Sequence, residues 1–198
     1  MAKIDTALIQ KLREISGLGM MDCKKALEET DGDLEKAIEV LRKKGAAVAA
    51  KRADKSTAEG LVHAYIHPGS RIGVLIEVNC ETDFVARTEN IKQFAADVCM
   101  HIAAMKPMYL SPEEVDPKFI AHERDIFTEQ LKASGKPEKV IAQIVEGKMS
   151  KLYSDVCLIK QTFVKDDQKT IEDLMNDLIA KTGENIKIKR FARFEIGS

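Results

Sequence analysis

The chain has 198 residues, room for one sizeable domain or two small ones. Hydrophobic residues make up 44% of it and charged residues 32%, with a net charge of -1, a balance that fits a soluble, helix-rich globular protein. There is no global basic field of the kind a sequence-independent nucleic-acid binder carries, so no direct nucleic-acid contact is expected. No apolar run approaches the ~20 residues of a membrane span. The opening Met1-Ala2-Lys3-Ile4-Asp5 lacks the apolar stretch of a signal peptide, so a cytoplasmic protein is expected. Aromatics are only 5% and Trp is absent, so the core must rest on Ile, Leu, Val, Ala and Met.

The first ~50 residues read as a small helical unit. Asp5 is a helix N-cap, with Ile4 and Ile9 placed for a hydrophobic staple. Leu8, Ile9, Leu12 and Ile15 recur at helical spacing, and Gly17 and Gly19 end that helix and permit a second bend. A second helix runs from about Met20 to Thr30, with Ala26 and Leu27 inward. Asp31-Gly32-Asp33 turns into a third, marked by Leu34, Ala37, Ile38 and Leu41, which Gly45 is expected to end. Residues 45–59 then read mostly as a linker.

From Gly60 the period changes to two. Val62, Ala64 and Ile66 alternate with His63 and Tyr65, and His67-Pro68-Gly69-Ser70 is a turn. Ile72, Val74, Ile76 and Val78 alternate in a second strand, which makes a β-hairpin. A long helix follows with Ile91, Phe94, Ala95, Val98 and Ile102 on one stripe, interrupted by Pro107 and Pro112. Asp116-Pro117 opens a helix bearing Ile120, Phe127 and Leu131, which Gly135 stops. Pro137 is placed at the first position of the next, where Val140, Ile141, Ile144, Leu152, Val156 and Ile159 face inward and Gly147 is a point of kinking or division. Thr170 caps a helix with Leu174, Met175, Leu178 and Ile179, and Gly183 ends it. The last segment alternates Ile186, Ile188, Ala192 and Phe194 with Lys187, Lys189, Arg193 and Glu195, a strand expected to join the hairpin. The fold class is α+β: a three-helix bundle, then a core with a small antiparallel sheet covered by helices. The division expected is 1–54 for the bundle and linker, and 55–198 for the core.

Chemistry is sparse. There is no phosphate-binding G-x-x-x-x-G-K-[ST] loop, no G-x-G-x-x-G turn and no nucleophile elbow. Gly135-Lys136-Pro137 has a Gly-Lys pair, but proline lacks the amide a phosphate would use. Cys23, Cys80, Cys99 and Cys157 are too dispersed for a zinc site and read as buried thiols in a reducing compartment. His63 and His67 share a strand face without a third ligand. The stretch Asn185–Phe194 mixes bases with aromatics, as a single-strand nucleic-acid binder does, but its period of two reads as a half-buried strand. No catalytic group, metal or cofactor is assigned. The most distinctive stretch is Val78-Asn79-Cys80-Glu81-Thr82-Asp83-Phe84-Val85-Ala86-Arg87. Thr82 can cap a helical turn that presents Asp83 and Phe84, or Phe84 can pack inside.

These residues carry a resemblance. Ser16–Leu27 (SGLGMMDCKKAL) and Glu77–Ala86 (EVNCETDFVA) resemble the two signatures of the elongation factor Ts family. Val156–Asp166 and Gly183–Ile186 add support, in family order over nearly the whole chain. The resemblance implies a ubiquitin-associated-like N-terminal bundle and an α+β dimerisation core. It implies a guanine-nucleotide exchange factor, not an enzyme, acting on the GDP-bound and nucleotide-free forms of the GTPase elongation factor Tu. Arg13, Met20 and Met21 match its contact with the partner's nucleotide-binding domain. Thr82, Asp83, Phe84 and Val85 match the element that displaces the partner's magnesium. Against the longer members, the chain is expected to lack an inserted helical hairpin, a second sheet subdomain and an extra C-terminal helix. It thus resembles the short members, which act as dimers. Two other readings are a ubiquitin-type adapter using the bundle and a thiol enzyme using Cys80.

Overall fold

The computed structural model describes residues 4–132 and 137–197. Three helices open it: α1 (Thr6–Ser16), α2 (Met20–Glu29) and α3 (Leu34–Arg52). Asp5 caps α1 by accepting from the Ala7 amide at 3.1 Å, and Asp33 caps α3 by accepting from the Lys36 amide at 3.1 Å. Gly17 closes α1 in the left-handed region at φ 67°, donating its N–H to the Arg13 carbonyl. Ile9, Leu12, Cys23, Ala26, Leu27, Ala37 and Leu41 form the bundle's core.

The expected stop at Gly45 is wrong: α3 continues to Arg52, and the linker shrinks to residues 53–58. Gly45 is buried because another helix lies against it. A Cβ there would stand 3.5 Å from the Ala180 Cβ, on α8 (Ile171–Thr182). The missing side chain permits close packing, and the Ala-rich sequence after it sustains the helix. Arg42 reaches Asp173 of α8 at 3.1 Å, and Ala49 packs on the sheet's core.

Strands β1 (Glu59–Ile66), β2 (Ile72–Cys80) and β5 (Ile186–Glu195) form an antiparallel sheet in the order β1-β2-β5. Helices α5 (Glu89–Met105) and α8 cover one face. Val74, Ile76, Val78, Cys80, Ile186 and Ile188 meet Ile91, Phe94, Val98, Ile102, Leu178 and Ile179 there.

In β1 the expected alternation holds: Leu61, His63 and Tyr65 face the helices, while Val62 and Ile66 stay 71% and 64% exposed. In β5 the alternation is not continuous. Val78 pairs with Ile188 and Glu77 with Arg190, which leaves Lys189 as the extra residue of a β-bulge. The bulge flips the phase, so Phe191 and Arg193 face the helices and Ala192 and Phe194 face outward. The outer face therefore presents Val62, Ala64, Ile66, Leu75, Ala192 and Phe194.

The expectation of no inserted helical hairpin is also overturned. Helices α6 (Pro117–Lys132) and α7 (Glu138–Val156), which follow α5 and precede β3 (Thr162–Phe163) in the chain, pack antiparallel against each other. Their own small core joins Ile141, Val145 and Met149 to Ile120, Phe127 and Leu131. The buried stripe of α7 is thus Ile141, Val145 and Met149, four residues apart; Val140 is exposed. Gly147 lies inside an unbroken helix, and Pro137 precedes α7 as its N-cap. The stop at Gly135 and its Gly-Lys pair fall outside the described residues. The short β3 pairs with β4 (Asp166–Thr170), which leads into α8 through a capping box between Thr170 and Asp173.

One buried polar group ties β3 to α5. His101 is fully buried. Its Nδ1 accepts from the Val164 amide at 3.2 Å, so the proton sits on Nε2, which donates to Gln161 Oε1 at 2.9 Å. Gln161 is held in turn by donating to the Asp155 carbonyl. Burial lowers the His101 pKa, against a smaller opposing effect of Gln161. The unfolded chain therefore takes up a proton that the folded one refuses. This contribution to stability is complete above the unfolded value of ~6.5 and is lost as pH falls toward the lower folded value. Thermal melts between about pH 7 and about pH 5 are expected to show this decline, and a non-titrating His101→Gln variant is expected to show a shallower one.

Candidate functional site

The central strand β2 carries its last residue, Cys80, into the core and then releases the chain as Glu81-Thr82. A short helix, α4 (Asp83–Ala86), follows. Thr82 caps it as expected, its hydroxyl accepting from the Val85 amide at 3.4 Å. Val85 is half-buried against the core, and this anchors one side of the turn. Phe84 points the other way and is 80% exposed. Of the two placements open to Phe84, core packing is therefore wrong. Asp83 pairs with Arg87 at 2.9 Å, one helical turn on.

A helix of four residues cannot hold itself, because nucleation costs more than so few bonds return. The turn is instead braced from the far end of the chain. Glu184, just after α8, accepts from the Thr82 amide at 3.0 Å and the Thr82 hydroxyl at 2.6 Å. Glu81 accepts from the Asn185 amide at 2.6 Å and from Arg52, at the end of α3, at 3.2 Å. The buried Asn185 side chain donates to the carbonyls of Ala53 and Lys55. Glu184, Asn185, Glu81 and Arg52 received no role in the reading of the sequence. The available signals were a polar pair wedged between the Gly183 stop and a strand, and the place of Glu81 and Glu184 within the segments that carry the family resemblance.

The second group of site residues lies on the bundle. Cys23, Ala26 and Leu27 take the buried face of α2, which leaves Met20 and Met21 on its outer side, 48% and 63% exposed. Arg13 is exposed on α1 and lines a cleft with Gln10, Glu14, Gly17 and Lys181. The two groups therefore occupy different units, one on the bundle and one at the end of β2.

The family profile for Elongation factor TS matches residues 4–198. Elongation factor Ts of Thermotoga petrophila is 54% identical over 195 residues, covering 98% of this chain and 97% of the relative. Elongation factor Ts of Caldanaerobacter subterraneus subsp. tengcongensis is 54% identical over 194 residues, at 98% and 97% coverage. That of Geotalea daltonii is 52% identical over 194 residues, at 98% and 90%. The chain belongs to the elongation factor Ts family.

All four cysteines are free and buried, as expected. For this member of the elongation factor Ts family the thiol-enzyme reading finds no support. Burial, then the nearby Glu184 charge, pushes the Cys80 thiol up, and its S–H donates to the Thr82 carbonyl. Burial likewise carries Cys99 to about 12 and Cys157 to about 11. None of these three is a poised thiolate. The exposure of Phe84 also makes a stability forecast. Phe84→Ala is expected to change folding stability by no more than ~0.5 kcal/mol, as for other surface positions. A core Phe would cost ~3–5 kcal/mol, which a denaturant titration distinguishes easily.

Proposed function

We propose that the protein is the guanine-nucleotide exchange factor for elongation factor Tu, that it binds the GDP form, and that it promotes GDP release during translation elongation. The observation that carries this reading is the exposed Phe84 on a turn braced by Glu184 and Asn185 after α8 and by Arg52 at the end of α3. An isolated protein gains nothing from a large apolar ring held out in water. A binding protein gains a preorganised anchor.

The mechanism is linkage. A factor that binds the empty GTPase more tightly than the loaded one weakens nucleotide binding by the same ratio. Each ~1.4 kcal/mol of that difference is worth about tenfold. In this reading Thr82, Asp83, Phe84 and Val85 form the element that displaces the partner's magnesium. Phe84 enters the partner, Thr82 and Val85 fix its backbone, and Asp83 brings a charge beside it. Arg13, Met20 and Met21 contact the nucleotide-binding domain, with the flexible Met side chains adapting to its surface. The protein performs no bond chemistry and needs no cofactor. No described helix is long and apolar enough to cross a membrane, which suits a cytoplasmic role.

The same reading includes a homodimer. Helices cover one sheet face, while the other exposes Val62, Ile66, Leu75 and Phe194 at 71%, 64%, 45% and 67%. An apolar patch of this kind on a soluble chain is suited to burial against a second copy related by a two-fold axis.

Release of labelled GDP from elongation factor Tu tests the central proposal. Saturating protein is expected to accelerate release, and Phe84→Ala to reduce the effect at least about tenfold. Asp83→Ala is expected to reduce it as well. Unchanged release with the wild-type protein would refute the reading. Light scattering is expected to give twice the chain mass of 22.0 kDa. Phe194→Asp is expected to shift the species toward monomer; a monomeric wild type at tens of micromolar would remove the dimer.

A further inference from the structure

Phe84 has almost no packing of its own, so its position is set by the backbone of α4. That backbone is positioned by a carboxylate 102 residues away in sequence. Glu184 takes both hydrogens of Thr82, the amide and the hydroxyl. With the hydroxyl hydrogen committed to Glu184, an oxygen lone pair is left facing the Val85 amide, so the cap is oriented and not merely present. Glu81, the neighbour of Thr82, is clamped in the opposite sense, accepting from the Asn185 amide and from Arg52. Two carboxylates thus cross between the same two segments, one from each side. A hinge motion of the turn would have to break both.

We propose that Glu184 is the positioning residue for Phe84 in nucleotide exchange, with Glu81 and Arg52 completing the clamp. This rests on the exchange-factor reading above. Glu184 does not reach the partner's nucleotide. It holds the backbone that carries the displacing ring, so that docking through the bundle also delivers Phe84. Without it, docking still occurs, but the ring arrives in the displacing pose only part of the time.

The test is GDP release from elongation factor Tu measured over a range of factor concentrations. For Glu184→Ala the plateau rate is expected to fall about tenfold, as misplacement of an acting group does, with little change in the half-saturating concentration. Glu184→Gln keeps a carbonyl that accepts from Thr82 and is expected to retain more of the plateau. Adding Glu184→Ala to Phe84→Ala is expected to cost nothing further, because one residue acts through the other. Hydrogen exchange in the free protein is expected to quicken at the amides of residues 82–87 and not in the sheet. A wild-type plateau reached at higher concentration would mean that the variant only lowers the folded fraction, and would overturn the proposal. So would multiplicative losses in the double variant. If the wild-type protein releases no GDP, it is the exchange-factor reading that fails, and unchanged amide exchange in Glu184→Ala would then refute the clamp itself.

Discussion

The close approach of α8 to α3 organises this molecule. On one side α8 places Ile171, Leu178 and Ile179 in the core that it shares with the sheet and α5. On the other, Ala180 lies against Gly45, where two small residues let the helix backbones draw together. Every methylene added between them would separate the bundle from the core or strain both. The position of α8 also sets where the chain emerges at Gly183, in the left-handed region at φ 73°, and hence where Glu184 and Asn185 point. A packing contact between two helices thereby determines the geometry of a surface turn on a different element.

That arrangement explains which parts of the fold were legible in the sequence. Caps, turns and helical stripes are local, and Asp5, Asp33, Thr82 and Thr170 each cap the helix their neighbours suggested. Gly45 misled because a glycine that stops a helix and one that admits a neighbouring helix look alike until the neighbour is known. In β5, the simple alternation of Ile186, Ile188, Ala192 and Phe194 concealed a one-residue insertion, since a bulge leaves no mark beyond the phase it changes. The hairpin α6–α7 was visible as two helices but not as a unit, because mutual packing is not encoded in either stripe alone. At the site, the cap and the turn could be read, whereas the exposure of Phe84 could not. An apolar residue has the same letter inside and outside the core. The clamp was the least accessible part, since residues 82 and 184 are joined only by the folded topology.

Charge plays a different part from the one composition suggested. The near-zero net charge conceals an extensive surface of paired ions, among them Lys24 with Glu28 and Lys92 with Glu89. Such exposed pairs contribute little to stability, typically ~0–1 kcal/mol each. The carboxylates of Glu81 and Glu184 differ because their partners include backbone amides. An amide hydrogen bond fixes a direction along the chain as well as a distance, whereas a lysine can follow its partner around. Pairing with Thr82 N–H and Asn185 N–H converts two surface acids into a backbone-to-backbone connection.

The same reasoning accounts for placing the exposed ring on so short a helix. A Phe on a flexible loop would lose conformational freedom on binding, at about 1–2 kcal/mol per ordered backbone residue. For a segment of a few residues that loss would cancel much of the ~1.5–3 kcal/mol that ring burial supplies. A Phe on a long helix would avoid the loss, but a long helix presents a broad flank and keeps its tip away from a narrow opening. The turn Thr82–Ala86 is small enough to enter a cleft, and the clamp orders it before the partner arrives. The binding energy of the ring is then available to discriminate between the loaded and empty forms of a partner, which is the only quantity that linkage can convert into exchange.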